Sequence, residues 1–231
     1  MNFKKILIVA AHPDDDILGC GGTIAKYSSQ QDIHFRIIFI AEGSTCRYSY
    51  DKIESIEALK EIKKRNTCAK SSLAVLNISD YKFYNLPCGR LDKTPLIDLG
   101  KIVENEIKAY QPDTIFTHSH RDVNNDHKLV FQAVLQATRP GAQNLVKRVY
   151  SFEILSSSEW GFIKNFKPNF FVSLDLEHVT AKTNALNEYT TEIKDFPFPR
   201  SSEGILTLAK RRGMQSASHY AEAFQLIREI I

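Results

Sequence analysis

Residues 5–24 read KILIVAAHPDDDILGCGGTI, and this stretch decides the fold of the 231-residue chain. Lys5–Ala11 is a short aliphatic run, rich in β-branched residues, that ends abruptly at a polar cluster. Such a run is typical of a strand buried on both faces of a parallel sheet. Ile24, Ala25 and Tyr27 follow at helical spacing, after glycines that open the segment. The stretch therefore predicts a strand, a polar loop and a helix in immediate succession.

The alternation of strand and helix continues along the chain. Further strands are predicted at Phe35–Ala41, 81–86, 113–118, Arg148–Ile154 and Phe170–Leu174, and helices at Ile53–Leu76, Leu96–Tyr110 and 128–137. Alternating units of this kind, joined by right-handed crossovers, form an open, doubly wound, mainly parallel sheet with helices on both faces. The final third of the chain is predicted to be helical, apart from an interruption at DFPFPRSSEG, residues 195–204.

Length and composition indicate a single domain over residues 1–231. No internal repeat or low-complexity segment is visible, and a chain of this size buries enough surface to fold without a structural metal. The net charge is +3, without blocks of like charge, so a nucleic-acid partner is not expected. No apolar stretch approaches the roughly 18 residues of a membrane span. Whether the chain forms a homo-oligomer is left open.

Four cysteines, Cys20, Cys46, Cys68 and Cys88, lie far apart and form no C-x-x-C pair. The first residues also lack the long apolar run of a signal peptide. We therefore expect reduced thiols and a cytoplasmic protein. Cys20 and Cys46 are interpreted as packing residues.

The polar residues of the chain concentrate where the predicted strands end. Ligands bind at the carboxyl ends of the strands in sheets of this type, so these residues are expected to meet in one crevice. The first strand is followed by the segment His12–Asp16, the second by Glu42, Ser44 and Arg47, and the fourth by His118, His120, Asp122, Asn124, Asp126 and His127.

This concentration of carboxylates and imidazoles predicts a metal site. Carboxylates placed close together repel one another unless a cation or proton lies among them. Nitrogen and oxygen ligands without thiolate suit Zn²⁺, and a catalytic zinc site takes three protein ligands with one open position. We expect His12, Asp15 and His127 to bind one Zn²⁺ per chain. Asp14, which points away from its neighbour Asp15, is the candidate general base.

Three motifs of the chain resemble the LmbE-like (PIG-L) zinc N-deacetylases. The segment AHPDDDILGCGGTIAKY is similar to the family signature AHPDDE-x-x-G-x-GG. The later D-x-N-x-DH, and RRGMQSASHYAEAF near the C-terminus, are also similar to family patterns. The resemblance runs in order over nearly the whole chain. It implies a Rossmann-like fold and hydrolysis of an N-acetyl group from an amino sugar, nucleotide sugar or sugar conjugate.

The resemblance also implies roles for individual residues. His12, Asp15 and His127 match the zinc ligands of the family, and Asp14 matches its catalytic base. Two positions depart from the pattern: Asp16 stands where the family usually has Glu, and Asn124 replaces the first histidine of an HPDH motif that assists the tetrahedral intermediate.

The missing histidine needs a substitute. Asn124 is expected to donate a hydrogen bond to the oxyanion through its amide, or else His120 or His118 supplies the charge. Arg47, Asp122 and Arg200, in loops near the crevice, are candidate substrate-binding residues for a hydroxyl or phosphate. The alternative for Arg47 and for Arg200 is a side chain that is solvated and binds no ligand.

Three other interpretations of the sequence compete with the deacetylase. Asp14-x-Asp16 after a first strand superficially matches a Mg²⁺-dependent phosphohydrolase, although a matching lysine and Ser/Thr site are not evident. A non-catalytic carbohydrate-binding or metal-binding relative is a second alternative. A dinucleotide fingerprint is excluded, because Ile24 occupies the third glycine position and acidic residues precede the turn.

Overall fold

The computed structural model describes residues 3–141 and 146–231. Its seven strands are β1 (Lys5–Ala10), β2 (His34–Ala41), β3 (Tyr81–Leu86), β4 (Thr114–His118), β5 (Arg148–Phe152), β6 (Phe170–Leu174) and β7 (Tyr220–Glu229). Its six α-helices are α1 (Asp15–Tyr27), α2 (Ile56–Val75), α3 (Leu96–Tyr110), α4 (Asn125–Ala137), α5 (Leu176–Asn187) and α6 (Ser202–Gln215). The strands form one sheet in the order β3-β2-β1-β4-β5-β7-β6.

Strand β1 lies in the middle of the parallel part of the sheet. It pairs in parallel with β2 on one side and β4 on the other, and β3 and β5 extend the parallel pairing outward. Strand β7 pairs antiparallel with both β5 and β6. The predicted open, mainly parallel α/β sheet is confirmed.

Two apolar layers cover the two faces of the sheet. The side chains of β1 alternate between them: Ile6 and Ile8 pack with α1, α2, α5 and α6, whereas Leu7 and Val9 pack with α3 and α4. Every residue of β1 after Lys5 is buried, which is why the strand reads as a continuous aliphatic run. Within residues 3–141 and 146–231, no helix is both long and apolar enough to cross a membrane.

The helical prediction for the final third of the chain is wrong at its end. Helices α5 and α6 form, but residues Tyr220–Glu229 are the ten-residue strand β7. Ala, Glu and Leu in this segment have high helix propensity. Pairing between β5 and β6, with Ala221, Ala223 and Phe224 buried, overrides that local preference.

Strand β7 also holds in place helix α1, which follows the polar loop after β1. The Glu222 carboxylate accepts hydrogen bonds from the backbone N–H groups of Gly22 (2.9 Å) and Thr23 (2.6 Å). It also forms a buried ion pair with Lys182, at 2.6 Å, and the Lys182 ammonium donates to the carbonyl of Leu18 at 2.8 Å. These contacts hold α1 in place, and its first turn carries Asp15 and Asp16.

We predict that Glu222→Gln destabilises the protein by about 3–5 kcal/mol, because it leaves the Lys182 ammonium buried without an anion. Urea denaturation measures the change in the free energy of unfolding. Glu188→Gln, at the exposed end of α5, is the matched control and should be within about 0.5 kcal/mol of wild type. Equal stability of the two variants would show that the ion pair does not hold α1.

Candidate metal centre

The candidate site lies at the carboxyl ends of the parallel strands, as predicted. The loop after β1 carries His12 and Asp14, and Asp15 is the first residue of α1. The segment from the end of β4 into α4 carries Asp122 and His127. All five side chains are buried. Because these strands are neighbours in the sheet, residues more than 100 positions apart in sequence meet here.

His12, Asp15 and His127 each offer one ligand atom, and the three atoms lie within 4.8 Å of one another. The Asp15 Oδ2 atom lies 3.2 Å from His12 Nδ1 and 3.4 Å from His127 Nε2. Buried carboxylate and imidazole groups of this kind need a cation or shared protons between them. The structure therefore brings together the three residues predicted as zinc ligands.

The hydrogen bonding of these groups fits a metal ion. Among the described residues, neither His127 Nε2 nor Asp15 Oδ1 has a hydrogen-bond partner, although both atoms are buried. Buried polar atoms are normally paired, so orphaned ones at a ligand cluster indicate a group that completes them. Two nitrogens and one carboxylate oxygen form the donor set of a catalytic zinc site.

In both His12 and His127, the ring nitrogen that points away from Asp15 lies next to another carboxylate. His12 Nε2 lies 3.0 Å from Asp126 Oδ2, and His127 Nδ1 lies 3.3 Å from Asp122 Oδ1. Metal-bound histidines characteristically place the second ring nitrogen against a carboxylate or carbonyl, which sets the tautomer and the ring orientation. His12 Nδ1 and His127 Nε2, which face Asp15, are thus the nitrogens that lie away from these two carboxylates.

The two supporting carboxylates are themselves held in place. Asp126 accepts hydrogen bonds from the backbone N–H groups of Gly89 (2.6 Å) and Leu91 (3.2 Å). Asp122 accepts from the Asn124 N–H and the Ser158 hydroxyl, both at 2.8 Å. The structure therefore places Asp122 behind His127 rather than in an open substrate pocket.

The charges of the cluster shift the pKa of each member. Burial lowers the pKa of His12, but hydrogen bonds to Asp126 and Asp15 outweigh it and raise the pKa to about 10. Burial likewise lowers the pKa of His127, while Asp15 and Asp122 raise it to about 9. The charge of His127 holds the pKa of Asp15 well below its usual value, despite burial. In the absence of a metal, two imidazolium groups therefore neutralise the carboxylates.

Asp14 occupies an unusual backbone conformation beside the ligands. Its φ angle is 110°, in a region that costs a non-glycine residue energy and is often retained at functional sites. Its Oδ2 atom lies 2.6 Å from Arg200 Nη1 and 3.0 Å from Arg65 Nη2, whereas Oδ1 is buried without a partner among the described residues. Burial raises the pKa of Asp14, and the two guanidinium groups oppose that shift.

Arg65 and Glu192 were missed by the sequence reasoning. The Arg65 side chain on α2 is buried, donates to the carbonyl of Pro13 at 2.9 Å, and pairs with Glu192. The helical spacing of Arg65 could have indicated that it is buried, because it lies on the same face of α2 as the buried residues Ala58 and Ala69. Glu192 lies in the irregular segment after α5, and nothing in the neighbouring sequence indicates that it reaches the site.

Not every predicted site residue reaches the cluster. His120 is exposed and packs on Phe131, with ring centroids 5.3 Å apart. His118 instead is fully buried, stacks on His127 at 4.0 Å, and its Nε2 accepts the N–H of Ala11 at 2.8 Å. Asn124 caps α4, where its Oδ1 accepts the N–H of Asp126 at 2.9 Å.

The two predicted substrate arginines are both paired with carboxylates. Arg47 Nη2 lies 2.8 Å from Glu192 Oε1, but about half of the Arg47 side chain remains exposed. Arg200 pairs with Asp14 and, at 3.6 Å, with Glu192. Beside them opens a cavity of about 340 Å³, lined by Arg47, Ser156, Trp160, Thr191, Glu192, Lys194, Phe198 and Arg200. Arg200 connects the cavity to Asp14.

Comparison with known proteins shows the family and the fold. The family model described as PIG-L, GlcNAc-PI de-N-acetylase, matches residues 7–138, more than half of the chain. The uncharacterized deacetylase YaiS of Escherichia coli K12 is 28% identical over 193 residues, which is 80% of this chain and 90% of YaiS.

Solved structures share the fold at lower identity. N,N'-diacetylchitobiose deacetylase from Pyrococcus horikoshii has a TM-score of 0.77 at 19% identity, covering 98% of this chain and 85% of that one. The 4-carboxy-2-hydroxymuconate hydratase GalB of Pseudomonas putida KT2440 has a TM-score of 0.73 at 20% identity, covering 99% and 98%. At these identities the likeness concerns the fold alone.

We predict that metal binding releases protons and weakens as the pH falls. Ligation requires neutral imidazole, and the raised pKa values of about 10 and 9 keep His12 and His127 protonated at pH 7 in the metal-free protein. Two protons are then lost for each ion, so the apparent affinity falls by about 100-fold for each unit of pH decrease. Calorimetry in buffers of different ionisation enthalpy measures this release. A pH-independent affinity between pH 6 and 8 would contradict it.

Asp122→Asn should weaken zinc binding by about 10–100-fold, because His127 loses the carboxylate that orients it. Competition with a chromogenic chelator measures the dissociation constant. Asp92→Asn, an exposed position outside the site, serves as the control. If both variants bind zinc as tightly as wild type, Asp122 does not support a ligand.

Proposed function

This chain belongs to the PIG-L (GlcNAc-PI de-N-acetylase) family, and we propose that it is a zinc-dependent hydrolase that removes the acetyl group from an N-acetylated amino sugar, nucleotide sugar or sugar conjugate. One observation carries the proposal. The buried ligand atoms of His12, Asp15 and His127 converge next to an aspartate, Asp14, that has one carboxylate oxygen without a partner in the described residues.

The three ligands would hold one zinc ion per chain. His12 Nδ1, Asp15 and His127 Nε2 supply nitrogen and oxygen donors, and three protein ligands leave a coordination position free. When bound there, zinc supplies a Lewis acid that polarises the amide carbonyl and makes water more acidic. The carboxylates Asp126 and Asp122 keep both imidazoles aimed at that position.

Asp14 is the proposed general base and acid. Arg200 and Arg65 hold its Oδ2, so the carboxylate cannot rotate freely. Oδ1, which has no partner among the described residues, is the atom that accepts a proton from the attacking water. Burial raises its pKa, which makes it a stronger base than a solvated aspartate. The same oxygen then returns the proton to the amine nitrogen of the sugar as the carbon–nitrogen bond breaks.

Asn124 remains our candidate donor to the oxyanion. Its cap to α4 uses Oδ1, so the amide NH₂ is the part of the side chain that can donate a hydrogen bond. His120, which is exposed and packs on Phe131, is a weaker candidate.

The sugar is proposed to lie in the cavity beside Arg200. Trp160 offers an apolar surface there for a sugar ring, and the half-exposed Arg47 can donate to hydroxyl or phosphate oxygens. Arg200 acts through Asp14, and Asp122 acts through His127, so both are positioning residues. The cavity volume of about 340 Å³ suits a ligand of the size of a sugar conjugate.

The phosphohydrolase alternative has less support. A D-x-D pair requires both carboxylates at the reacting centre, but Asp16 is fully buried and neither of its oxygens has a partner in the described part of the chain. Burial raises the pKa of Asp16 to about 8. The fold does not choose an activity, because a hydratase shares it, so the proposal rests on the site.

The test is acetate release from a panel of N-acetylated sugars and sugar conjugates. We expect activity with one equivalent of zinc, loss of activity with a chelator, and a fall in kcat of about 10²–10⁴-fold for Asp14→Asn. Asn keeps the shape of Asp and tolerates positive φ, so this variant should still bind one zinc ion. Asp98→Asn, exposed on α3, is the matched control.

Full turnover by Asp14→Asn would overturn its role as the base. Magnesium-dependent release of phosphate would favour the phosphohydrolase. A zinc-loaded wild type that binds sugars but releases no acetate from any of them would favour the binding protein.

A further inference from the structure

An exposed apolar surface borders the cavity beside Arg200. Phe162 and Ile163, in the loop after β5, are 85% and 96% exposed, more than any other large apolar side chain of the described residues except the C-terminal Ile231. Trp160, just before them, is 44% exposed. Single exposed apolar residues are ordinary on protein surfaces, but a group of them this exposed indicates a surface that meets a partner.

A second loop adds to this surface. Phe196, in the segment between α5 and α6, is 55% exposed. The two loops meet where the ring of Phe198 packs edge-on against Trp160, with centroids 6.4 Å apart. We call residues 160–163 and 196–198 the apolar rim. Trp160 and Phe198 also line the cavity of about 340 Å³, so the apolar rim borders that cavity.

The loop that carries Phe162 and Ile163 holds them outward. Its backbone hydrogen bonds run from the N–H of Gly161 to the carbonyl of Ser158 at 3.2 Å, and from the N–H of Lys164 to the carbonyl of Gly161 at 3.0 Å. Gly161 is buried, and a Cβ there would lie 3.0 Å from the Lys164 carbonyl oxygen. The chain thus makes two tight turns in succession, and the two apolar side chains project into solvent.

Lysines flank both loops of the apolar rim. Lys164 and Lys167 follow one apolar tip, Lys194 precedes the other, and all three are exposed. The Lys194 ammonium lies 4.8 Å from the centre of the Phe198 ring. A lysine carries its charge on a long apolar stem, so it can lie beside an inserted aromatic side chain and still keep its ammonium in a polar layer.

The acidic residues near the apolar rim do not cancel this charge. Glu159 and Asp195 are exposed, but the Glu159 carboxylate already accepts the N–H groups of Ser156 (2.6 Å) and Ser157 (3.0 Å). Three lysines against two carboxylates leave the surroundings of the apolar rim positive. A partner that complements this surface is therefore apolar in its interior and negatively charged at its boundary.

We propose that the apolar rim docks on an anionic lipid bilayer, with Phe162 and Ile163 inserted among the acyl chains and Trp160 at the level of the headgroups. Tryptophan rings favour that level, and lysines near the surface are attracted to anionic lipids. Insertion buries apolar side chains that the described residues leave uncovered, and it turns the cavity toward the membrane surface. The attachment is peripheral and needs no membrane-spanning helix.

A second copy of the chain fits the apolar rim less well. In a twofold dimer each lysine-flanked rim would meet its own copy, so like charges would face each other across the contact. The projecting side chains of Phe162, Ile163 and Phe196 present on the order of 400 Å², less than the roughly 800 Å² per partner of a stable protein interface. A bilayer requires neither a matching face nor that much area.

Co-sedimentation with vesicles tests the docking. Wild type should bind vesicles of mixed phosphatidylglycerol and phosphatidylcholine at least about tenfold more tightly than vesicles of phosphatidylcholine alone, and added salt should weaken the binding. The double variant Phe162→Ser/Ile163→Ser should bind at least about tenfold more weakly than wild type. Val75→Ser, an exposed apolar position at the end of α2 and at the opposite edge of the sheet, is the control and should bind as wild type.

The double variant Lys164→Gln/Lys167→Gln separates charge from insertion. It should lose most of the preference for anionic vesicles, because the attraction to anionic lipid depends on these lysines. Lys70→Gln, an exposed position on α2, is the matched control and should keep the preference of wild type.

Trp160 is the only tryptophan of the chain, so its emission reports on the apolar rim alone. Anionic vesicles should shift the emission of wild type to shorter wavelength, because the ring moves from partial exposure to water into the bilayer interface. Lipids brominated on their acyl chains should quench it. The same vesicles should leave the emission of Phe162→Ser/Ile163→Ser unchanged, and equal urea midpoints of the two proteins show that the variant is folded.

Three results would overturn the proposal. The first is binding of anionic vesicles no tighter than binding of phosphatidylcholine vesicles, and the second is equal binding by wild type and Phe162→Ser/Ile163→Ser. The third is a wild-type dimer in analytical ultracentrifugation that this variant converts to a monomer, which would assign the apolar rim to a second copy. Acetate release enters none of these measurements, so the lipid proposal and the deacetylase proposal fail independently.

Discussion

The Asp15 carboxylate, buried between His12 and His127, is the constraint on which the site depends. A carboxylate in that position is stable only with positive charge beside it. Without a metal the charge comes from two imidazolium groups, whose raised pKa values record the strength of the interaction. A divalent cation supplies the same charge at one point and releases the protons. Proton release and metal affinity are thus two measures of a single interaction.

The fold brings these groups together at the carboxyl edge of the sheet. They lie in the loop and the first helical turns that follow the strands, rather than within the strands. Strand β1 is buried on both faces and aims the His12–Asp15 loop at the end of β4. The positive φ of Asp14 turns its carboxylate away from Asp15, toward Arg65 and Arg200. Adjacent aspartates therefore serve different purposes: one faces the ligand cluster and the other faces two arginines. The strain at Asp14 is compensated by the ion pairs that it makes possible.

Local sequence was enough to predict the α/β sheet and to bring His12, Asp15 and His127 to one place, because each lies directly after an apolar strand or at a helix start. Features that depend on distant partners were not predictable. Strand β7 has a helical composition and forms a strand only because β5 and β6 flank it. Arg65 and Glu192 reach Asp14 from remote segments. The sequence left open whether His118 or His120 lies at the site, because that depends on where β4 ends. The structure places His118 beside His127. The roles assigned to individual site residues stay predictions.

X-ray absorption at the zinc edge, on protein loaded with a single equivalent, tests the central claim most directly. Ligation by two imidazoles and a carboxylate predicts a shell of nitrogen and oxygen at about 2.0–2.2 Å, with the outer-shell scattering of histidine and no sulfur. A sulfur shell at about 2.3 Å would place the ion on cysteine and would contradict the assignment of His12, Asp15 and His127 as the preferred zinc ligands.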